Sequence, residues 1–399
     1  MDFFWEKIIV QAIKRYETPF YLSACEPVRQ AFEKLKTLET NIIFKNWYSF
    51  KTHPIRPLVR FLQSHDYGIE VVSEFEFLAA LEEGYKPESI LINGVAKHEW
   101  LKKYKIRGLR VHFDSLTEIN QLISYAREYD WIIGLRCHVS EEYDPDEPTF
   151  SGQFGLSANE MTEAVSVLLN NQLRLEGFHF HLRTNVRAAP DYGRAIDEVA
   201  KLCINLNFAP KYIDCGGGLP VTGEWPINKV EAKKVFNFIE FKSILSGIAN
   251  KFPSIEEIWM ENGRFISAQS CVLIIKILDI KQRSECRYLI CDGGRTNQAL
   301  VSDWETHQIS TYPNKGGEMC LTTICGPTCM AYDRLARIPM SKDINIGDYI
   351  VWHNAGAYHI PWETRFSHGL AKVVWFDEDS RLSLVRDNES FQDWWQKWI

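Results

Sequence analysis

The chain has 399 residues, of which 45% are apolar and 24% charged, and its 45 basic and 52 acidic residues leave a net charge of −7. This balance, without a basic run, argues against nucleic acid or an anionic membrane as the main partner, and no stretch approaches the roughly 18 to 20 apolar residues of a membrane span. The ten cysteines form no C-x-x-C pair, which argues against a disulfide or metal framework, so we expect a cytoplasmic protein with reduced thiols and no metal site.

The first 36 residues precede the repeating part of the chain. Charged residues interrupt the apolar ones in residues 1–15 too often for a secretory signal. Residues 18–22 are typical of a β-strand. We therefore assign residues 1–36 to a β domain whose other strands come much later in the chain.

Residues 37–265 alternate short β-rich runs with longer stretches of helical period. The eight runs are residues 41–51, 68–73, 89–93, 108–113, 131–139, 175–183, 211–217 and 256–262. Between them, segments such as 74–84 and 191–203 carry apolar residues three and four positions apart, which indicates amphipathic helices. Eight alternating units predict an α/β fold, a TIM-like (β/α)8 barrel. A doubly wound open sheet is the competing architecture.

Lys51 stands at the end of the first apolar run. A lysine there is costly, because removing an ammonium from water either costs free energy or lowers the pKa of the group. A lowered pKa makes lysine a nucleophile toward carbonyl groups, and an aldehyde cofactor is the obvious electrophile. The alternative is that Lys51 only extends its charged end to the surface.

Further polar residues follow the other predicted strands, at the end where barrel enzymes build their active sites. Three consecutive glycines, Gly216, Gly217 and Gly218, come directly after the seventh run. Backbone amides of such a turn can approach a phosphate closely, although glycines also make ordinary turns. His181 alternates in register with His179, so both project to the same side of the strand. The flat ring of His181 could stack on an aromatic cofactor, or it could be an ordinary core histidine.

Glu261 and Arg264 follow the eighth run. A carboxylate beside a pyridine nitrogen favours the protonated, electron-withdrawing form of the ring that an aldehyde cofactor needs. Arg264 could add a contact to a phosphate. The alternative is an internal ion pair between the two side chains.

Residues 266–399 have a different pattern of predicted secondary structure. Strand-like runs at 270–280, 287–292, 348–353 and 370–376 follow one another without helical segments, which predicts a mainly antiparallel β domain. This part also contains Cys325-Gly-Pro-Thr-Cys329 and Gly356-Ala-Tyr358. The spacing alone does not show an acid-base role for Cys329.

Taken together, these motifs resemble the pyridoxal-phosphate amino-acid decarboxylases of the alanine-racemase-like fold, the group that contains the diaminopimelate, ornithine and arginine decarboxylases. The resemblance covers roughly residues 18–372. It implies a carboxy-lyase that uses pyridoxal 5'-phosphate and works as a homodimer with shared active sites. In that mechanism Lys51 forms a Schiff base with the cofactor, and carbon dioxide leaves through a quinonoid intermediate.

The resemblance also assigns roles residue by residue. Lys51 and Glu261 meet the aldehyde and the pyridine nitrogen, His181 stacks on the ring, and Cys329 reaches across the dimer interface to protonate the carbanion carbon. Glu70 stands where the family usually has an aspartate near the lysine. The implied contacts of the phosphate and its surroundings are Thr184, Gly216, Gly217, Gly218, Gly263, Arg264 and Tyr358.

Departures from the family pattern concern the substrate pocket, whose implied residues are Arg183, Cys329, Met330 and Tyr358. Met330 replaces the acidic residue that grips the distal amino group of the substrate, and losing a charged hydrogen bond costs about 1.5 to 3 kcal/mol. Arg183 replaces a glycine and could be recruited for an anionic group. We therefore expect a small-molecule substrate other than free ornithine or diaminopimelate, such as a conjugated or carrier-bound amino acid of a specialised pathway.

Three other functions stay open from the sequence alone. One is a diaminopimelate decarboxylase of lysine biosynthesis. The others are an amino-acid racemase of the same fold and an inactive relative that binds a partner. The match at Glu261 argues against the racemase, because racemases of this fold are expected to carry an arginine at the ring nitrogen.

Overall fold

The structure is a computed structural model, and it describes residues 3–140, 152–222, 224–226, 236–298 and 305–398. The chain begins with helix α1 (Phe3–Arg15), strand β1 (Phe20–Ala24) and helix α2 (Cys25–Lys36). Ile8 and Ile9 of α1 are buried against Phe20 and Leu22 of β1. The apolar residues that charges interrupt in the sequence therefore form one face of an amphipathic helix.

Eight parallel strands close into a barrel in the order β10-β2-β3-β4-β5-β6-β7-β8. They are β2 (Ile43–Ser49), β3 (Gly68–Val71), β4 (Ile90–Ile92), β5 (Arg110–Phe113), β6 (Ile132–Arg136), β7 (Arg174–His179), β8 (Tyr212–Asp214) and, after a short strand β9 (Glu224–Pro226), β10 (Glu257–Glu261). Pairing of β10 with both β2 and β8 closes the ring. The predicted (β/α)8 barrel is confirmed and the open sheet is excluded.

Helices cover the outside of the barrel. They are α3 (Arg56–Ser64), α4 (Glu74–Glu82), α5 (Leu116–Glu128), α6 (Ala158–Asn170), α7 (Ala189–Asn205), α8 (Phe238–Ser246) and α9 (Ile248–Lys251). The short, buried helix α10 (Arg264–Ser267) directly follows β10. Ser73, Ser115 and Ser157 begin three of them, each accepting a hydrogen bond from the backbone N–H three residues later. The alternation fails between β4 and β5, where short 3-10 turns replace a helix.

The last part of the chain forms a nine-stranded sheet that is mainly antiparallel. The strands after the barrel are β11 (Cys271–Arg283), β12 (Cys286–Cys291), β13 (Glu305–His307), β14 (Ile309–Tyr312), β15 (Met319–Cys325), β16 (Arg334–Ser341), β17 (Tyr349–Trp352), β18 (Lys372–Phe376) and β19 (Leu382–Arg386), followed by helix α11 (Phe391–Trp395). Strand β13 pairs with β9 outside this sheet.

Strand β1 lies inside this second sheet, between β11 and β18. The strand expected near residues 18–22 is therefore present, and it pairs with strands that come some 250 residues or more later. The limits of the domains at residues 36 and 265 stay a prediction. Among the described residues, no helix is long and apolar enough to cross a lipid bilayer.

Candidate active site

A cavity of about 410 Å³ opens at the carboxyl ends of the barrel strands. Its lining comes from the ends of seven strands or the loops after them and from the second sheet domain: Ser49, Lys51, Glu70, Val72, Asn93, Gly94, Val95, Arg136, Phe154, His179, His181, Thr184, Gly217, Gly218, Glu261, Gly263, Arg264 and Tyr358. Ten of the predicted site residues thus face one space. Carboxyl ends of parallel strands meet at one end of a barrel, which is why residues 51 and 261 can share a cavity.

Lys51 lies in the 3-10 turn Phe50–Thr52 that follows β2. Its Nζ donates a hydrogen bond to Oε2 of Glu70 at 2.7 Å, and Glu70 is buried. Burial opposes the charge on Lys51, but the carboxylate of Glu70, helped by Tyr358 and Glu261, raises the pKa of the ammonium above its ordinary value. The sequence led us to expect a lowered pKa, and that expectation is wrong for this structure. Lys51 must lose a proton before it can act as a nucleophile, and the hydrogen bond to Glu70 fixes the position of its Nζ.

Glu261 ends β10 at the base of the cavity and is 6% exposed. Its Oε1 accepts a hydrogen bond from Nδ2 of Asn93 and lies 3.4 Å from Nε2 of His179. Burial, then the nearby acids Asp214 and Glu70, raise the pKa of Glu261 well above its ordinary range. A carboxyl group in this position gains from a cation beside it, and a protonated pyridine nitrogen is such a cation.

The glycine turn after β8 brings two loops together. Gly216 and Gly218 have φ values of +67° and +105°. A Cβ on Gly217 would lie 2.4 Å from the carbonyl oxygen of Glu261, and one on Gly218 would lie 2.2 Å from that of Arg183. The turn therefore needs glycine for close backbone approach. The amide of Gly216 donates to Oδ1 of Asp214 at 2.8 Å, so it is already bonded within the protein.

His181 follows β7 and lines the cavity. Its Nδ1 accepts a hydrogen bond from the amide of Gly217 at 3.1 Å. Burial, with the charges of Arg136 and Lys51, lowers the pKa of His181 to about 3. The ring is therefore neutral near neutral pH, as a ring that stacks on an aromatic group should be.

Arg264 lies between the hydroxyl of Thr184 and the ring of Tyr358. Nε of Arg264 donates to Oγ1 of Thr184 at 2.9 Å, and its guanidinium carbon lies 5.2 Å from the ring centre of Tyr358. Tyr358 is held by its own amide, which donates to the carbonyl of Thr52 at 2.8 Å. Arginine and hydroxyl donors suit a phosphate, and the glycine turn lacks side chains that would block it, so this part of the cavity fits the phosphate of the expected cofactor.

Four of the predicted residues do not line this cavity: Arg183, Gly216, Cys329 and Met330. Gly216 belongs to the glycine turn beside it. Cys329 is exposed, and Met330 is 39% exposed. Their loop is held by buried Asp333, whose carboxylate accepts bonds from the amide of Arg295 at 2.8 Å and the hydroxyl of Thr328 at 2.6 Å. The expected reach of Cys329 into a partner subunit stays a prediction.

Sequence reasoning left Arg136, Phe154 and Asn93 without a role. Arg136 ends β6. Its guanidinium carbon lies 4.5 Å from the ring centre of Phe154, and its Nη1 lies 3.6 Å from Oδ1 of Asp114. Asn93 binds Glu261 directly. Arg136 and Asn93 stand at carboxyl ends of strands, so the rule that found Lys51 and Glu261 also applies to them.

His112, His179 and Glu261 place potential metal-ligand atoms within 4.8 Å of one another. The two imidazole rings are stacked, with centres 4.9 Å apart and planes inclined by 22°. Imidazole nitrogens bind a metal in the plane of the ring, and nearly parallel planes do not converge on one point. This trio therefore suits hydrogen bonding better than a metal.

Replacing Gly217 with alanine should weaken cofactor binding roughly tenfold to a hundredfold, because overpacking costs about 1 to 3 kcal/mol. The new Cβ would push against the end of β10 at 2.4 Å. Affinity is measured by titrating apoprotein with pyridoxal phosphate. The matched control is Gly316→Ala, where a Cβ meets no atom within 4 Å. Equal affinities of the two variants would contradict this role for the turn.

The chain is similar to known proteins over most of its length. Residues 27–268 match a family model described as pyridoxal-dependent decarboxylase, pyridoxal binding domain. A diaminopimelate decarboxylase of Helicobacter pylori is 24% identical and aligns over 97% of this chain and 96% of its own. A 2-[(L-alanin-3-ylcarbamoyl)methyl]-2-hydroxybutanedioate decarboxylase of Staphylococcus aureus is 27% identical over 78% and 82%.

The fold also matches solved structures. The crystal structure of diaminopimelate decarboxylase from Helicobacter pylori complexed with L-lysine superposes with a TM-score of 0.83 at 23% identity, covering 98% of both chains. At this identity the likeness establishes the fold and not the substrate.

Proposed function

We propose, from the premise that this chain belongs to the pyridoxal-dependent decarboxylases, that its substrate is an α-amino acid whose far end carries an acidic group joined through an amide rather than a free ammonium. The chain is a pyridoxal-phosphate-dependent amino-acid decarboxylase, a carboxy-lyase. The open question is which amino acid it decarboxylates. This family assignment favours a decarboxylase over a racemase or an inactive binding protein.

Pyridoxal phosphate, when bound, supplies an electron sink for the electron pair that remains after the α-carboxylate leaves as carbon dioxide. In our proposal Lys51 holds its aldehyde end and Glu261 its ring nitrogen. His181 covers one face of the ring. Arg264, Thr184, Tyr358 and the glycine turn hold the phosphate. The distances given above support this division of roles.

The chain's own groups then manage protons and position. Glu70, 2.7 Å from Nζ of Lys51, fixes the position of that nitrogen through a hydrogen bond. Asn93 holds Oε1 of Glu261. In the proposal, Cys329 of a second copy supplies the proton at the reacting carbon, because Cys329 is exposed and does not line the cavity of its own chain. We accordingly propose a homodimer with shared sites.

Met330 is the observation that carries the proposed substrate class. It follows Cys329 directly, where the family resemblance implies an acid that binds a distal ammonium. A thioether offers no charge and only a weak acceptor, so a free distal ammonium would lose its main partner. A distal amide carries no charge and does not require that acid.

The Staphylococcus aureus relative supports the same class of substrate. Its name describes an alanine whose third carbon is joined through an amide to a hydroxybutanedioate. The distal nitrogen of that substrate is an amide, and the attached group is acidic. The cations Arg136, which lines the cavity, and Arg183, in the loop after β7, are our candidates for binding such an acidic group.

Free meso-diaminopimelate is the second candidate. The relative from Helicobacter pylori, which aligns over nearly the whole of both chains, is a diaminopimelate decarboxylase. The substrate comparison described next separates the two candidates, because only diaminopimelate carries a free ammonium at its far end.

Met330→Glu should raise kcat/KM for free meso-diaminopimelate about tenfold to a hundredfold, the range expected for a restored charged hydrogen bond. The wild type should prefer 2,3-diaminopropionate joined through its 3-amino group to a hydroxy-polycarboxylate. Release of carbon dioxide is measured for both compounds. Met319→Glu is the control, since Met319 is also exposed but lies on β15 away from Cys329. Higher wild-type kcat/KM with free diaminopimelate would overturn the proposed substrate class.

A further inference from the structure

Four buried rings form a column in the barrel interior beneath the cavity: Trp259, Tyr212, His112 and His179. The rings of Trp259 and Tyr212 are stacked at 3.6 Å with planes inclined by 7°. The hydroxyl of Tyr212 lies 2.9 Å from Nε2 of His112, and the ring of His112 stacks on that of His179 at 4.9 Å. The column thus runs from the aromatic barrel core to the residue beside Glu261.

Two glycines on the facing strands make room for this column. A Cβ on Gly134 would lie 2.3 Å from Cδ2 of His112, and one on Gly177 would lie 2.5 Å from the ring of Tyr212. Both distances are too short for real contacts. The rings therefore occupy the space of two absent side chains and have little freedom to turn.

His179 meets Glu261 at the top of the column. Its Nε2 lies 3.4 Å from Oε1 of Glu261, the same oxygen that accepts a bond from Asn93. Neither ring nitrogen of His179 has a hydrogen bond within the described part of the chain. A buried N–H without a partner is unfavourable, so His179 gains if its Nε2–H bonds to Glu261.

The pKa of His179 supports a neutral ring with a single N–H. Burial, then the neighbouring His112 and Arg136, lower it well below the ordinary value. A neutral histidine can donate from one nitrogen only. Donation from Nε2 leaves Nδ1 as an acceptor.

We propose that His179 is a positioning residue that donates a hydrogen bond from Nε2 to Oε1 of Glu261 and so keeps that carboxylate charged and oriented toward the ring nitrogen of the cofactor. The column of His112, Tyr212 and Trp259 fixes the ring of His179 for this bond. The inference rests on the proposed contact between Glu261 and the ring nitrogen. A charged Glu261 favours the protonated ring and hence a strong electron sink.

The decisive variant is His179→Phe, which keeps a flat ring in the column and removes the donor. Its kcat should fall about tenfold to a hundredfold, the effect of losing one hydrogen bond to a charged group, while KM changes less than about threefold. The ring-nitrogen signal of ¹⁵N-labelled cofactor bound to the enzyme without substrate should move toward the unprotonated position. Both effects follow because Glu261, without this hydrogen bond, favours the protonated ring nitrogen less strongly.

His179→Gln is the conservative variant, because its amide nitrogen reaches about as far as Nε2 and can donate the same bond. It should restore kcat to within about threefold of the wild-type value. It should also return the ring-nitrogen signal to the wild-type position. Thermal unfolding of both variants separates folding defects from the proposed effect. A purely structural role would lower the melting temperature and leave the ring-nitrogen signal of the remaining folded enzyme unchanged, and that result would overturn the proposal.

The substrate-free spectrum also separates this inference from the proposed function. If the enzyme takes up the cofactor but does not decarboxylate the conjugate, the ring-nitrogen comparison between wild type and His179→Phe still decides the role of His179. If the wild-type ring nitrogen is unprotonated, the inference fails whatever the substrate.

Discussion

Replacement of Lys51 by alanine should lower kcat by a factor on the order of 10⁴ or more, the scale seen when an enzyme loses its covalent nucleophile. Lys51 lines the cavity, and its Nζ donates a hydrogen bond to Oε2 of Glu70 at 2.7 Å. Among the described residues that line the cavity, no other side chain offers an amine in its place. Borohydride reduction of the loaded wild type, followed by peptide mapping, should find the cofactor on Lys51.

The matched control is Lys45→Ala on the same strand. Lys45 stands at the opposite end of β2, where it binds Glu257 at 2.7 Å and is 37% exposed. The Lys45→Ala variant should keep its kcat within about threefold of the wild-type value, because an exposed ion pair contributes at most about 1 kcal/mol. Substantial turnover by Lys51→Ala, or a reduced adduct on another lysine, would refute the assignment of the nucleophile.

The second large effect concerns stability. Lys97→Met should lower the free energy of unfolding by about 3 to 5 kcal/mol, because it leaves the carboxylate of Glu118 buried without its cation. Nζ of Lys97 donates to Glu118 at 2.5 Å and to the carbonyl of Gly94 at 2.7 Å. Both charged side chains are fully buried. Urea denaturation followed by circular dichroism measures the loss.

This buried pair also supports the cavity. Gly94 lines the cavity, and Oε2 of Glu118 also accepts the amide of Asp114 at 2.9 Å. Asp114 in turn lies beside Arg136. The double variant Lys97→Met/Glu118→Leu should recover most of the lost stability, since an apolar replacement of a whole buried pair is often neutral.

Lys103→Met serves as the control for the buried pair. Lys103 binds Glu74 at 3.0 Å but is 57% exposed, so its loss should cost less than about 1 kcal/mol. If Lys97→Met is no more destabilising than Lys103→Met, or if the double variant is worse than the single one, the buried pair does not have the role described.

The sequence by itself determined the barrel, the end at which its site lies and the cofactor class. Strands buried on both faces are continuous apolar runs, so eight of them could be found by composition and period. A parallel barrel then places Lys51, His181 and Glu261 at one end, whatever the details of packing. The family motifs added the cofactor.

The tertiary structure decided which charges surround the site residues and which side chains contact those residues from behind. Glu70, Tyr358 and Glu261 come from three distant parts of the chain, and together they reverse the direction expected for the pKa of Lys51. The register of His179 with His181 is visible in the sequence, but its contact with Glu261 exists only in the folded chain. The pairing of Lys97 with Glu118 was likewise invisible, because neither residue belongs to a motif.

The physical reason is the range of the interactions involved. Hydrophobic period and turn chemistry are local, so a short stretch of sequence reports them faithfully. Electrostatic balance depends on every charge within several ångströms in a poorly screened interior. Only the folded chain states which charges those are, and that is why the sequence could identify Lys51 while the structure alone decided its protonation.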